Sequence, residues 1–91
     1  MAPITYTNHA LKRMKERNID TNTVNSVLNT PEGLLLDTVT GRLVAVSYKH
    51  KLVVIYEMKD DTTYVITVIT SADIENLVRR RESSGRWLRI K

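Results

Sequence analysis

The 91-residue chain contains no cysteine, which excludes disulfides, thiolate metal sites and a thiol nucleophile. Glycine is scarce: Gly33, Gly41 and Gly85 are the three present. None falls in a glycine-rich run, so a phosphate-cradling loop is unsupported. The two histidines, His9 and His50, lie far apart in the chain, and no acidic residue stands at helical ligand spacing from them. No zinc motif follows, and no metal or other cofactor is expected. Long apolar runs are missing too. The longest, Leu52 to Tyr56, falls far short of the roughly 20 residues that cross a bilayer. The segment Met-Ala-Pro-Ile-Thr-Tyr-Thr has neither the basic leader nor the apolar stretch of a signal peptide, so a soluble, cytoplasmic protein with no membrane partner is expected.

What is present is an ordinary globular composition, 42% hydrophobic and 26% charged. A chain of this size buries only about 60 to 65% of its unfolded surface, enough for one core and one domain over residues 1–91. The formal net charge of +4 is unevenly distributed. Residues 9–17 hold Lys12, Arg13, Lys15 and Arg17 against Glu16, and residues 79–91 hold Arg79, Arg80, Arg81, Arg86, Arg89 and Lys91 against Glu82. The remainder is acidic. Clustered cations displace counterions from phosphates, so these two segments suggest a surface for a polyanion, RNA above all. The alternative is a pair of solvated basic helix ends.

Periodicity divides the chain. Ala10, Leu11 and Met14 predict a first helix from Asn8 to Arg17, capped by Thr7 or Asn8 and ended by Asn18. Val24, Val27 and Leu28 predict a second, started by Asp20 or Thr21 and stopped by Thr30-Pro31. After Gly33 the period falls toward two and β-branched residues dominate. Four strands are predicted near 34–37, 42–48, 52–58 and 63–70, joined by hairpin-length polar turns into an antiparallel meander. The third and fourth are apolar on both faces, which predicts a central pair covered on both sides. Ser71 is the expected cap of a basic C-terminal helix with Ile74, Leu77 and Val78 on its buried stripe. Beyond Ser83-Ser84-Gly85, residues 86–91 read as either an edge strand or a mobile basic tail. The fold class expected is α+β: two N-terminal helices on a four-stranded antiparallel meander, with a C-terminal basic helix.

His9, Arg13 and Arg17 are spaced i, i+4, i+8, so each is turned only about 40° from the last and the three form one ridge. Two guanidiniums and an imidazole suit a phosphodiester: the guanidiniums bind its oxygens in forked pairs, and the imidazole transfers protons near neutral pH. These three are the candidate catalytic residues. Lys12, Lys49, Arg79, Arg80, Arg81, Arg86, Trp87 and Arg89 are the candidate nucleic-acid contacts. Trp87 either stacks on a base or docks the tail on the sheet, with docking the favoured reading. His50 reads as a solvated turn residue, although Lys49-His50-Lys51 can touch phosphate. Tyr48 and Tyr64 are foremost sheet residues.

The run His9-Ala10-Leu11-Lys12-Arg13-Met14-Lys15-Glu16-Arg17-Asn18-Ile19, with a short helix, Pro31-Glu32 and a meander after it, resembles an uncharacterised domain family grouped with the RelE/ParE plasmid-toxin superfamily. The resemblance spans roughly residues 7 to 70, which makes 71–91 a basic helix and tail beyond the toxin-like core. It implies a RelE-like fold, metal-independent RNA cleavage on or near the ribosome, and a protein antitoxin partner. It carries attention to His9, Arg13 and Arg17 and identifies no general base on the strands. Cleavage would proceed by attack of the 2′-hydroxyl on the adjacent phosphorus, with His9 as acid or base and Arg13, Arg17 and Arg81 supporting the phosphorane. The competing accounts are a nonenzymatic nucleic-acid-binding module and a protein-interaction domain that accepts a partner on an open sheet face or edge.

Overall fold

The computed structural model describes residues 3–91. In chain order the elements are β1 (Ile4–Tyr6), α1 (Asn8–Glu16), α2 (Thr21–Asn29), β2 (Gly33–Asp37), β3 (Leu43–Ser47), β4 (Leu52–Lys59), β5 (Thr62–Thr70), α3 (Ile74–Ser83) and β6 (Trp87–Arg89). They form one six-stranded sheet in the order β1-β5-β4-β3-β2-β6. The expected four-stranded antiparallel meander is therefore corrected to a six-stranded mixed sheet with three helices.

Both additional strands sit at the edges, and the physical reason for missing them is local. β1 has three residues and pairs in parallel with β5, Tyr6 opposite Val65. So short a segment, partnered from the far side of the chain, has no hairpin turn to announce it. β6 pairs antiparallel with β2, with Leu88 opposite Leu36, which settles residues 87–89 as an edge strand. The expected central pair changes as well. β4 lies beside β3 in the middle of the sheet, and β5 is one place further out.

Helices cover the two faces separately. Ala10 and Met14 of α1 and Val24 and Val27 of α2 pack with Ala45, Leu52, Val54, Val65 and Val68. On the opposite face, Ile74 and Val78 of α3 and Trp87 pack with Leu35, Val44, Val46, Val53 and Ile55. The apolar two-sidedness of β4 follows: Leu52 and Val54 face one core, Val53 and Ile55 the other. In β5 the alternation is broken by a bulge, since Ile55 pairs with Thr67 and Tyr56 with Val65, leaving Ile66 as the extra residue. The bulge turns both Val65 and Val68 toward the α1 and α2 side.

The helix ends follow local chemistry. Thr7 caps α1, its Oγ1 accepting from the Ala10 amide at 3.0 Å. Asn18 closes the helix at a positive φ of 56°, while the Ile19 amide donates to the Met14 carbonyl and the Asn18 amide to that of Lys15, a Schellman ending. Asp20 caps α2 through the Thr23 amide. The third cap differs from expectation. Ser71 Oγ accepts from the Asp73 amide, but the helix starts at Ile74 with Asp73 in the cap position and no side-chain cap bond.

One apolar surface is left uncovered. Leu36 is opposite both Leu43 and Leu88, and Leu34 and Ile90 continue the same face two residues along each strand. Leu88 is 59% exposed and Ile90 49%. The patch lies at the β6 side of the sheet, on the face opposite Leu35.

Thr7 also ties α1 to the sheet. Its hydroxyl donates to the Ile66 carbonyl at 2.8 Å, and its amide donates to the Val65 carbonyl at 3.0 Å. Thr7→Val, which keeps the shape and removes the hydroxyl, is expected to lower stability by about 1 to 2 kcal/mol, the range for a lost cap with an orphaned carbonyl. Urea denaturation checks this, and an unchanged midpoint would refute the assigned role.

Candidate functional site

β1 ends at Tyr6, opposite Val65, so the edge of β5 beyond Ile66 has no strand beside it. α1 flanks it instead. Ala10 and Met14 point into the core at 0% and 4% exposure, which sets the ridge of His9, Arg13 and Arg17 along the outer flank. These three line a groove of about 270 Å³ with Thr67, Val68, Ile69 and Thr70. The helical spacing thus becomes a physical channel, with one wall of cationic side chains and another of threonine-rich strand edge. His9 and Arg17 are exposed and Arg13 is half-buried. Neither arginine forms an ion pair among the described residues.

The groove continues past Arg17. Arg17 and Thr70 also line an open depression with His50, Lys51, Ser71 and Ala72. His50 is held by a small network: Ser47 Oγ lies 3.1 Å from His50 Nδ1 and accepts from the His50 amide at 3.1 Å. Ser47 is buried and its hydroxyl donates to Glu32 at 3.2 Å. Glu32 also accepts from the Lys49 amide at 2.9 Å, the first cause of its lowered pKa. A carboxylate at the start of β2 thereby fixes the turn that presents His50 and Lys51. Lys49 itself faces another depression, with Ser26, Thr30 and Glu32. Sequence reasoning chose Lys49 as a contact, named Lys51 only within the turn Lys49-His50-Lys51, and passed over Thr67 and Thr70. The signal for Lys51 was its place in a tight turn, where it adopts a φ of 52°. Nothing local marks the two threonines, whose role comes from the missing neighbour of β5.

The C-terminal cations do not form one set. Arg86 Nε donates to both Asp37 oxygens at 3.1 Å, and Arg89 pairs with Glu82 at 2.6 Å. Glu82 is the main reason that the Arg89 pKa is raised. Arg79 donates to Asn76. Arg80 is exposed, as is Lys12 on α1. Trp87 is 3% exposed in the core, with the Arg81 guanidinium 5.6 Å from its ring centroid. Its ring is docked and offers no open face to a base, so it is removed from the candidate contacts.

The two basic segments therefore do not converge as expected. α1 and α3 pack on opposite faces of the sheet. Between them, Thr67 and Ile69 of β5 line the α1 groove and also a second groove of about 220 Å³ on the α3 side, with Arg42, Arg81 and Arg86. Among the described residues no group of three histidine, aspartate or glutamate side chains gathers at metal-binding distance, and no helix is long and apolar enough to cross a membrane.

A family model described as "Domain of unknown function (DUF4258)" matches residues 6–70. The chain belongs to the DUF4258 family. In this member the matched segment runs from the end of β1 to the end of β5, so it contains the whole α1 groove and stops before α3. Membership of DUF4258 carries no activity with it, and nothing in the match ties the chain to the RelE/ParE superfamily. No curated protein and no solved structure matches the chain.

Asp37 shows how much of the C-terminal charge serves the fold. Burial would raise its pKa, but the bonds from Arg86 and from the Thr40 and Val39 amides outweigh burial and hold it at about 2. Its unfolded value is near 3.8, so its stabilising contribution is complete above that value and is lost as pH falls from about 4 through about 2. Asp37→Asn is expected to cost on the order of 2 kcal/mol at neutral pH. The difference from wild type should shrink across that acid window in pH-dependent denaturation; a gap independent of pH would contradict it.

Proposed function

We propose that this protein binds RNA through the groove between α1 and β5, with Arg13 and Arg17 on the phosphates and Lys51 extending the track. One observation carries the reading: Arg13 and Arg17 share a groove without carboxylate partners, while Arg86 and Arg89 are engaged with Asp37 and Glu82. An arginine already bonded to a carboxylate has little to gain from phosphate, whereas an unpaired one gains charge-assisted, forked hydrogen bonds. Residues four apart on a helix are about 6 Å apart along its axis, which is comparable to the separation of successive phosphates on an extended strand. Thr70, paired with Leu52 of the α1-side core, adds a hydroxyl that suits a ribose 2′-hydroxyl. A cytoplasmic location goes with such a partner.

A second reading, metal-independent cleavage of that RNA, is supported by His9 at one end of the groove and by the resemblance to toxin-type domains. Attack of the 2′-hydroxyl requires one group to take a proton and another to deliver one. His9 and His50 line different depressions, so no second imidazole lines the groove with His9. Binding is therefore the better supported function. A protein partner of antitoxin type has its own support in exposed Leu88 and Ile90, with half-buried Leu34, Leu36 and Leu43 beside them, next to the edge strand β6, where an added strand finds both backbone and apolar contacts.

Fluorescence anisotropy with a single-stranded oligoribonucleotide tests the groove. Arg13→Ala and Arg17→Ala should each weaken binding by about tenfold, the scale of one charge-assisted hydrogen bond, and reduce the salt slope by about 0.7 for each lost phosphate contact. His9→Ala should change affinity by no more than about twofold. A deoxy strand of the same sequence should bind less tightly. Unaltered affinity in both arginine variants would remove the groove as the binding site, and His9-dependent release of 2′,3′-cyclic phosphate ends would replace binding with ribonuclease activity.

A further inference from the structure

The groove on the α3 side differs from its counterpart in how its charges balance. It is lined by Arg42, Arg81 and Arg86 over a floor that includes Ile55, Thr67 and Ile69. Arg86 is neutralised by Asp37, and Arg42 Nε bonds Glu57 at 3.0 Å. Arg81 forms no ion pair among the described residues. It lies over Trp87, which holds the guanidinium plane in place while leaving its charge uncompensated. A fixed cation above a partly apolar floor is the combination that accepts a phosphate together with its sugar or base.

The second observation is continuity. Thr67 and Ile69 line this groove and the α1 groove alike. Thr67 adjoins the bulge of β5, and both residues lie past the last residue covered by β1. The shared residues join the two grooves into one line over the edge of the sheet, with Arg13 on one side and Arg81 on the other. A duplex is too wide and stiff to follow it from one face to the other, but a single strand bends freely.

We infer that single-stranded RNA wraps over the exposed edge of β5, with Arg81 holding a phosphate on the α3 side as a second subsite to that formed by Arg13 and Arg17. This rests on the RNA-binding reading of the α1 groove. It adds a prediction which that reading does not make: affinity depends on strand length in two steps, one for each face. Arg42 and Arg86 flank the subsite and stay with their carboxylates, so the added site is worth one phosphate contact.

The experiment is a length series of labelled oligouridylates, short and long, titrated against the full chain at several salt concentrations. Wild type should bind the long strand more tightly than the short one. Arg81→Gln should lower the long-strand affinity by about tenfold, reduce its salt slope by about 0.7, and leave the short strand unaffected. Arg81→Lys should restore most of the slope. Thr67→Glu, which puts a negative charge where the grooves meet, should weaken both lengths, because Thr67 lines both grooves. Arg17→Ala should weaken both lengths. If Arg17→Ala weakens binding while Arg81→Gln leaves the long strand unchanged, the wrapped path is overturned and the α1 groove stands alone. If wild type binds neither length, both readings fall together.

Discussion

The hydroxyl of Thr7 is bonded in two directions, accepting from the first turn of α1 and donating to the Ile66 carbonyl. The placement of the site depends on that pair of bonds. Together with the Thr7 amide on Val65, they start α1 where β1 stops and lay it along the edge of β5. Ala10 and Met14 then fill the core below. The adjacent flank, with His9, Arg13 and Arg17, then falls beside Thr67 to Thr70. A helix started one residue earlier or later would rotate that ridge by about 100°.

A strand edge without a neighbour is usually a hazard for aggregation. Here the exposed stretch is bulged at Ile66 and walled by charged side chains, both of which discourage pairing with another strand. The same features make a groove with a polar floor and an unneutralised cationic wall. At the other end of the sheet the balance is reversed. Arg86 and Arg89 are spent on Asp37 and Glu82, β6 is short, and Leu88 and Ile90 stay exposed. The two edges thus differ in chemistry, one flanked by unpaired arginines and the other by exposed apolar side chains.

Much of the local architecture was legible. Apolar spacing in Ala10-Leu11-Met14 and in Val24-Val27-Leu28 marked α1 and α2, and the turns at Thr40-Gly41 and Asp60-Asp61 marked the hairpins, with Gly41, Asp60 and Asp61 at positive φ. Local signals failed where a partner is remote. Ile4–Tyr6 becomes a strand only because β5 receives it, and Trp87–Arg89 only because β2 does. The helix cap expected at Ser71 moved to Asp73 for a related reason, since the buried position of Ile74 sets where α3 begins.

By itself the sequence determined that His9, Arg13 and Arg17 share a helix flank, because a period of 3.6 residues admits no other arrangement, and that positive charge gathers in two segments. Only the tertiary structure decided which of those charges remain unpaired. Carboxylates distant in sequence, Asp37 for Arg86 and Glu57 for Arg42, are brought within bonding distance by strand pairing. Strand pairing also put α1 and α3 on opposite faces and left Thr67 and Ile69 as the ground common to both grooves. Charge is written residue by residue, but its neutralisation depends on distances that exist only once the sheet has formed.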